Sequence, residues 1–227
     1  MKGYVINLKK RPDRLERFTH TITHLLKDYV DMQIIEAVDG SCIEDLNTPY
    51  LRSFVEYCFL YRKNHNERRV RGIIGATLSH LKCYKDFVEN TKDDYAIIFE
   101  DDCDVLENTS TILSFFKNLN LPSSFGLIFL NTAYDDRDQT CYSPSTNTNL
   151  IEFNNYSHGI WYTAESYIIH RDFAKILIEY IELKMDIIDH IHKRCILKYL
   201  KKYNTYKSNP MLFKQYDRSD TNIQYTS

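Results

Sequence analysis

Closely spaced cysteine pairs, long apolar runs, glycine-rich phosphate loops and an excess of either charge are all missing from this chain of 227 residues. The cysteines, Cys42, Cys58, Cys83, Cys103, Cys141 and Cys195, are scattered with no C-x-x-C pair, which excludes a zinc ribbon or a small disulfide framework and predicts reduced thiols. Apolar runs such as 96–99 and 126–130 fall far short of the ~20 residues that cross a bilayer, so no transmembrane span is expected. Lys and Arg number 29 against 31 Asp and Glu, a net charge of -2, and no global basic field exists to hold nucleic acid. Residues 4–8 are apolar and the chain then turns basic, the reverse of a secretory signal. Neither G-x-G-x-x-G nor a Walker pattern occurs, so a dinucleotide or P-loop site has no support. The 6 glycines and 5 prolines are spread thinly, leaving no linker, and no repeat is visible, so a single domain spanning 1–227 is expected.

What is present is an alternation of short apolar runs with helical patterns. Residues 4–8 read as a strand, 9–14 as a polar turn, and the segment to about 29 as a helix with Leu15, Phe18, Ile22 and Leu25 on one face. A second strand, 33–38, ends at Asp39-Gly40, where glycine is expected to permit a turn that other residues resist. Residues 41–71 are irregular and include the basic stretch Arg68, Arg69 and Arg71. A helix over 75–90 carries Leu78, Leu81, Tyr84 and Val88 on one face, and a buried strand over 95–99 follows the turn Lys92-Asp93-Asp94. Thr109 or Ser110 is expected to cap a helix to about 119, with a strand over 125–131 and a polar loop over 133–149. A strand over 161–170, a helix capped by Asp172 to about 183, a last helix over 187–200 and an irregular tail complete the pattern. Strands alternating with helices predict an α/β fold.

Two local features carry chemistry. The strand containing Ile97, Ile98 and Phe99 ends in Glu100-Asp101-Asp102, with Asp104 two positions on. Side chains alternate along a strand, so Glu100 and Asp102 are expected to share a direction and grip one divalent cation, Mn²⁺ or Mg²⁺, with Asp101 turned elsewhere. As strand-end groups they are expected to be exposed. The alternative is a solvated acidic turn. The segment Asn7-Leu8-Lys9-Lys10-Arg11-Pro12-Asp13-Arg14 places two lysines and two arginines on the turn before a helix N-terminus, a position that suits phosphates or a merely solvated basic turn.

Four segments in order resemble glycosyltransferase family 25: Val5-Ile6-Asn7-Leu8 with Arg11, Asp13 and Arg14; Ala37-Val38-Asp39-Gly40; Gly75-Ala76-Thr77-Leu78-Ser79-His80; and Ile98-Phe99-Glu100-Asp101-Asp102. A weaker match runs from Asn209-Pro210 to Gln215 and Ser219, and 164–169 resembles the family's late strand. The resemblance implies a GT-A-like, Rossmann-like nucleotide-sugar-binding fold with a mixed central sheet. It also implies a UDP-sugar donor and a divalent metal held by the acidic motif, here Glu100 and Asp102, with inversion at the sugar carbon.

The same resemblance assigns roles residue by residue. Asn7, Leu8, Arg11 and Arg14 fall on the donor side. Asp101 would contact the ribose. Asp39 would accept from uracil or ribose, or else stabilise its turn. His80 would meet donor phosphate, orient the acidic loop, or simply pack beside the sheet. The base that takes the acceptor proton is sought in Asp186 or Asp189, which also fit a polar helix start, with Asp104 as competitor. His158 is a weaker third metal ligand that nothing in the family's motif requires, and His20 and His24, an i,i+4 pair without a ligand partner nearby, read as exposed helix surface. Without a signal or retention tail, a cytoplasmic enzyme acting on a glycan or glycoconjugate is expected, lipopolysaccharide biosynthesis among the settings. The oligomeric state is not legible. Two rival readings remain: a degenerate nucleotide-sugar-binding module and a metal-dependent phosphohydrolase.

Overall fold

Strand side chains alternate between two apolar faces, and that alternation organises the molecule. In β1 (Lys2–Asn7), Tyr4 and Ile6 enter one core while Val5 enters another; in β3 (Tyr95–Glu100), Ile98 faces the first and Ile97 and Phe99 the second. β5 (Phe125–Phe129) and β8 (Ser166–His170) repeat the split, with Leu127, Phe129, Tyr167 and Ile169 on the first face and Ile128 and Ile168 on the second. The computed structural model describes residues 1–61, 66–131, 142–144, 149–153 and 164–216. With β2 (Asp31–Glu36), β6 (Tyr142–Pro144), β7 (Leu150–Phe153) and β9 (Asn204–Ser208), these strands form an eight-stranded sheet ordered β2-β1-β3-β8-β5-β9-β7-β6. The β1–β2, β1–β3 and β5–β9 pairs are parallel and the other pairs antiparallel, so the central sheet is mixed as anticipated.

Helices cover both faces. α1 (Pro12–Phe18), a π-helical turn (Thr19–Thr23) and α2 (His24–Leu26) put Phe18, Ile22 and Leu26 into the second core, joined by α5 (Thr109–Lys117) through Ile112, Phe115 and Phe116. α4 (Glu67–Asn90), α6 (Arg171–Leu183) and α7 (Ile188–Tyr199) cover the first core, and α3 (Pro49–Tyr61) packs with the start of α4 in a smaller cluster. β4 (Cys103–Val105) and β10 (Phe213–Gln215) make a separate antiparallel pair.

Several expectations are corrected. The helix expected from residue 75 starts at Glu67, because the Asn66 side chain accepts the Arg69 amide and so caps it; the arginines of the irregular stretch lie inside its first turns. Asn108, not Thr109 or Ser110, caps α5, and His170, not Asp172, caps α6. The tail forms strands β9 and β10. Gly40 has no positive φ; a Cβ there would stand 2.0 Å from the Arg71 carbonyl oxygen, so close backbone approach is what demands glycine. Cys42, Cys58, Cys83, Cys103 and Cys195 are free thiols, while Cys141 and most of the 133–149 loop lie outside the described residues. No described helix is long and apolar enough to cross a membrane.

Candidate active site

The carboxyl ends of β1, β3 and β5 and the start of β8 meet at one edge of the sheet, where ligands of open α/β sheets gather. The register sets Ile6 opposite Glu100. The Glu100 amide donates to the Glu165 carbonyl at 2.9 Å and the Asp101 amide to the Ile6 carbonyl at 3.1 Å, so the acidic turn is clamped between the neighbouring strands.

Past Glu100 the strand alternation stops, which overturns the expectation that Asp101 would point away from Asp102. The chain turns, and one buried guanidinium meets both: Arg14 Nη1 lies 3.0 Å from Asp101 and 3.6 Å from Asp102. Asp101 also accepts from Asn7 at 2.7 Å, and the Asp101 carbonyl accepts from Arg17 at 3.0 Å. Asp102 is only 6% exposed, not the open strand-end group expected. Its Oδ2 accepts from Gln215 at 3.1 Å, and Tyr216 N donates to its carbonyl at 2.7 Å, so the C-terminal segment closes over the motif. Its Oδ1 is buried and has no hydrogen-bond partner among the described residues.

Glu100 is the outward member, its side chain 29% exposed, with Oε1 3.1 Å from His80 Nε2. Burial first, then the Asp102 and Asp101 charges, push its carboxyl up to about 8. Burial also raises Asp101, against the opposing pull of Arg14.

These groups suit a hard divalent cation. Asp101 and Asp102 share Arg14, Asp102 Oδ1 is a buried acceptor without a donor among the described residues, and a cation would relieve the repulsion that raises Glu100. Among the described residues no group of three His, Cys, Asp or Glu side chains could hold a metal. Two carboxylates completed by substrate phosphates and water are, however, an ordinary site for such an ion.

The two candidate bases part company. Asp186 lies before α7, forms an ion pair with Arg194 and lies 3.4 Å from His190 Nδ1. Burial would raise it, but hydrogen bonds from His190 and the Ile187 amide, with the Arg194 charge, outweigh that and hold it below the usual carboxylate range. Asp189, in the first turn of α7, accepts from the Ala164 amide at 2.9 Å at the head of β8. Burial and then the Glu100 charge push it up to about 7, with His80 among the groups that oppose the shift. Asp189 therefore shares the electrostatic neighbourhood of Glu100 and His80.

The remaining candidates have local partners. Asp39 accepts from Lys10 at 2.6 Å and from the Ser41 amide and hydroxyl, capping a short 3₁₀ turn. The Leu8 carbonyl accepts from the Arg11 amide, and Arg11 pairs with Asp13 at 2.7 Å. Asp104 lies on β4, opposite Lys214, and accepts from the Val105 amide. His20 and His24 are exposed, and His158 lies outside the described residues.

The site also holds Arg17, Tyr84, Tyr167, His192, Asn131, Glu165 and Gln215, none of which has a role legible from the sequence alone. Arg17 follows Arg14 by three and Tyr84 follows His80 by four, the spacing that puts side chains on one helix face. The others come from distant segments, as where Asn131 donates to Glu165 at 2.8 Å.

Comparison with known proteins supplies the relationship. Procollagen galactosyltransferase 2 of Mus musculus and of Homo sapiens are each 35% identical over 101 residues, covering 44% of this chain. That stretch is 15% of the length of either relative. Among solved structures, a Drosophila β1,4-galactosyltransferase 7 mutant with manganese, UDP-Gal and xylobiose superposes with a TM-score of 0.48 at 12% identity, over 100% of this chain and 76% of that one. The sequence model of glycosyltransferase family 25 (LPS biosynthesis protein) matches residues 1–192, a span holding Asn7, His80, the Glu100–Asp102 turn and Asp189, and the chain belongs to that family of glycosyltransferases.

Proposed function

We propose that the chain is a metal-dependent inverting hexosyltransferase that moves galactose or glucose from a UDP-sugar to a hydroxyl of a glycan or glycoconjugate. One observation carries this: two carboxylates suited to a cation, Glu100 and Asp102, stand together at a sheet edge, and Glu100 shares the electrostatic neighbourhood of a third, Asp189, that is raised to about 7. The name of the mammalian relatives supports galactose.

Glu100 and Asp102 would hold the cation beside the donor diphosphate. Bound Mn²⁺ or Mg²⁺ supplies positive charge against the charge that develops on the leaving nucleotide. Arg14 and Asn7 keep the acidic turn assembled from behind, while Arg11 and Lys10, at the outer turn, meet donor phosphate. Asp101, fastened to Arg14 and Asn7, acts on the turn more than on the ribose. Asp189 takes the acceptor proton; the acceptor oxygen then bonds to the anomeric carbon as the bond to the diphosphate oxygen breaks, and UDP leaves with the electron pair. A carboxyl near 7 is suited to that transfer at neutral pH. The single-domain organisation and a cytoplasmic setting belong to the same reading.

The test is UDP release from a panel of UDP-sugars, with Mn²⁺ and then EDTA, with and without mixed sugar acceptors. The expected result is release from one donor, dependent on metal and stimulated by acceptor. Metal-dependent UDP binding with no turnover on any acceptor would favour the binding module, and fast cleavage of the donor to UMP and sugar phosphate without acceptor the phosphohydrolase.

A further inference from the structure

Behind Glu100 runs a chain of buried polar groups that the proposed chemistry leaves unused. Glu100 Oε1 lies 3.1 Å from His80 Nε2, and His80 Nδ1 lies 2.7 Å from the Tyr167 hydroxyl. The Tyr167 hydroxyl is 2.6 Å from that of Tyr84, which is 2.8 Å from His192 Nε2. His80, Tyr84, Tyr167 and His192 are all buried within the apolar layer between the sheet and helices α4, α6 and α7. Tyr84, Tyr167, Phe129 and Cys195 could be joined there by simple apolar packing, so a polar chain in this place calls for a reason.

The direction of the hydrogen bonds follows from counting protons. Taken as neutral imidazoles and phenols in this buried layer, each of the four groups brings one mobile proton to four links. If Glu100 accepts, His80 Nε2 donates to it, Tyr167 donates to His80 Nδ1, Tyr84 to Tyr167 and His192 Nε2 to Tyr84. Every link is then filled, and what remains is a bare lone pair on His192 Nδ1. In the opposite sense, the link at Glu100 needs a proton on its carboxyl, and an N–H is stranded at His192 Nδ1. That atom is buried and has no partner among the described residues, and an orphaned buried N–H is the rarer and costlier outcome. The chain is therefore polarised toward Glu100 as acceptor.

The four groups also tie three elements to one point: His80 and Tyr84 one turn apart on α4, Tyr167 on β8, and His192 on α7 three residues after Asp189. We propose that Tyr84, Tyr167 and His192 are positioning residues that act through His80 to hold Glu100 as an oriented acceptor for the cation, while fixing the helix that bears Asp189. This rests on the reading of Glu100 as a metal ligand.

The test is calorimetric titration of MnCl₂ into the whole chain at saturating UDP, with melting temperature and far-UV circular dichroism recorded on the same samples. Tyr84→Phe removes one hydroxyl from the middle of the chain. It should weaken Mn²⁺ binding about fivefold, less than the roughly 10- to 100-fold lost when a direct outer partner of a ligand is removed. His192→Leu should weaken it similarly, and His192→Gln, which keeps a donor at the chain's end, should restore most of the affinity, so the question survives if Tyr84→Phe does not fold. Mn²⁺ affinity unchanged in Tyr84→Phe and His192→Leu, with only the melting temperature lowered, overturns the proposal. Glu100→Gln separates the two readings: if it binds Mn²⁺ as tightly as the wild type, the ligand assignment falls and the proposal with it.

Discussion

Asp186 and Asp189 show how three residues of sequence separate two chemistries. Both are carboxylates near the start of α7, and nothing in their spacing distinguishes them. Asp186 is paired with Arg194 and hydrogen-bonded by His190 and the Ile187 amide, which hold it low, so it remains ionised and shielded. Asp189 has one backbone donor, little solvent and the Glu100 charge nearby, and is raised to about 7. Asp189→Asn should therefore lower acceptor-dependent transfer by roughly 10²- to 10⁴-fold, the usual worth of a general base, with UDP affinity unchanged. Asp186→Asn should instead lower the melting temperature and leave the transfer rate per folded molecule close to the wild type. Steady-state kinetics and thermal melts on the two variants distinguish the roles, and a reversed pattern would reassign the base to Asp186. A similar contrast holds within the acidic motif. Glu100 faces outward, whereas Asp102 is packed under Gln215 and Arg14, so Asp102→Asn should cost stability as well as metal affinity.

At the scale of elements, the segments 37–40 and 75–80 interlock. Gly75 of α4 sits where a Cβ would come within 2.6 Å of the Val38 carbonyl oxygen, and the Val38 amide donates to the Ser79 hydroxyl at 2.8 Å. This contact seats α4, and with it His80, against the end of β2. Gly75→Ala forces backbone apart and should cost about 1–3 kcal/mol or more, at roughly 2–4 °C of melting temperature per kcal/mol in a chain of this size. A melting temperature within 1 °C of the wild type would show that the junction yields freely. The strands β1, β3, β5 and β8, the α/β class and the acidic turn were legible because short continuous apolar runs and a run of carboxylates are local signals. Gly40 was legible as special but for the wrong reason, since a close approach to Arg71 depends on a helix start that Asn66 alone announces. The β4–β10 pair, Gln215 over Asp102 and the Tyr167–His192 end of the buried chain arise from residues far apart in sequence, which no local pattern can join.

Across the whole molecule the electrostatics set a pH dependence with a definite sign. Glu100 is raised from 4.5 to about 8 and Asp189 from 3.8 to about 7, so in the folded chain both hold protons that the unfolded chain has already released. Where the native state binds more protons, stability falls as pH rises. The effect of these two groups therefore begins near their unfolded values and is complete once pH passes about 8. His80 works in the opposite direction, lowered from 6.5 to about 4, so its contribution rises with pH up to about 6.5 and then stays constant. The window from about 6.5 to about 8 isolates the carboxyls. In metal-free buffer the melting temperature should decline across that window. A cation on Glu100 and Asp102 displaces the proton from Glu100, so Mn²⁺ should raise the melting temperature more at pH 8 than at pH 6.5 and flatten the decline. The measurement is a pair of thermal-melt series over pH, one with EDTA and one with MnCl₂ and UDP. A metal-free profile that climbs through the window would mean that Glu100 and Asp189 are already ionised in the folded chain, and that the edge of the sheet is wetter and less repulsive than its packing implies.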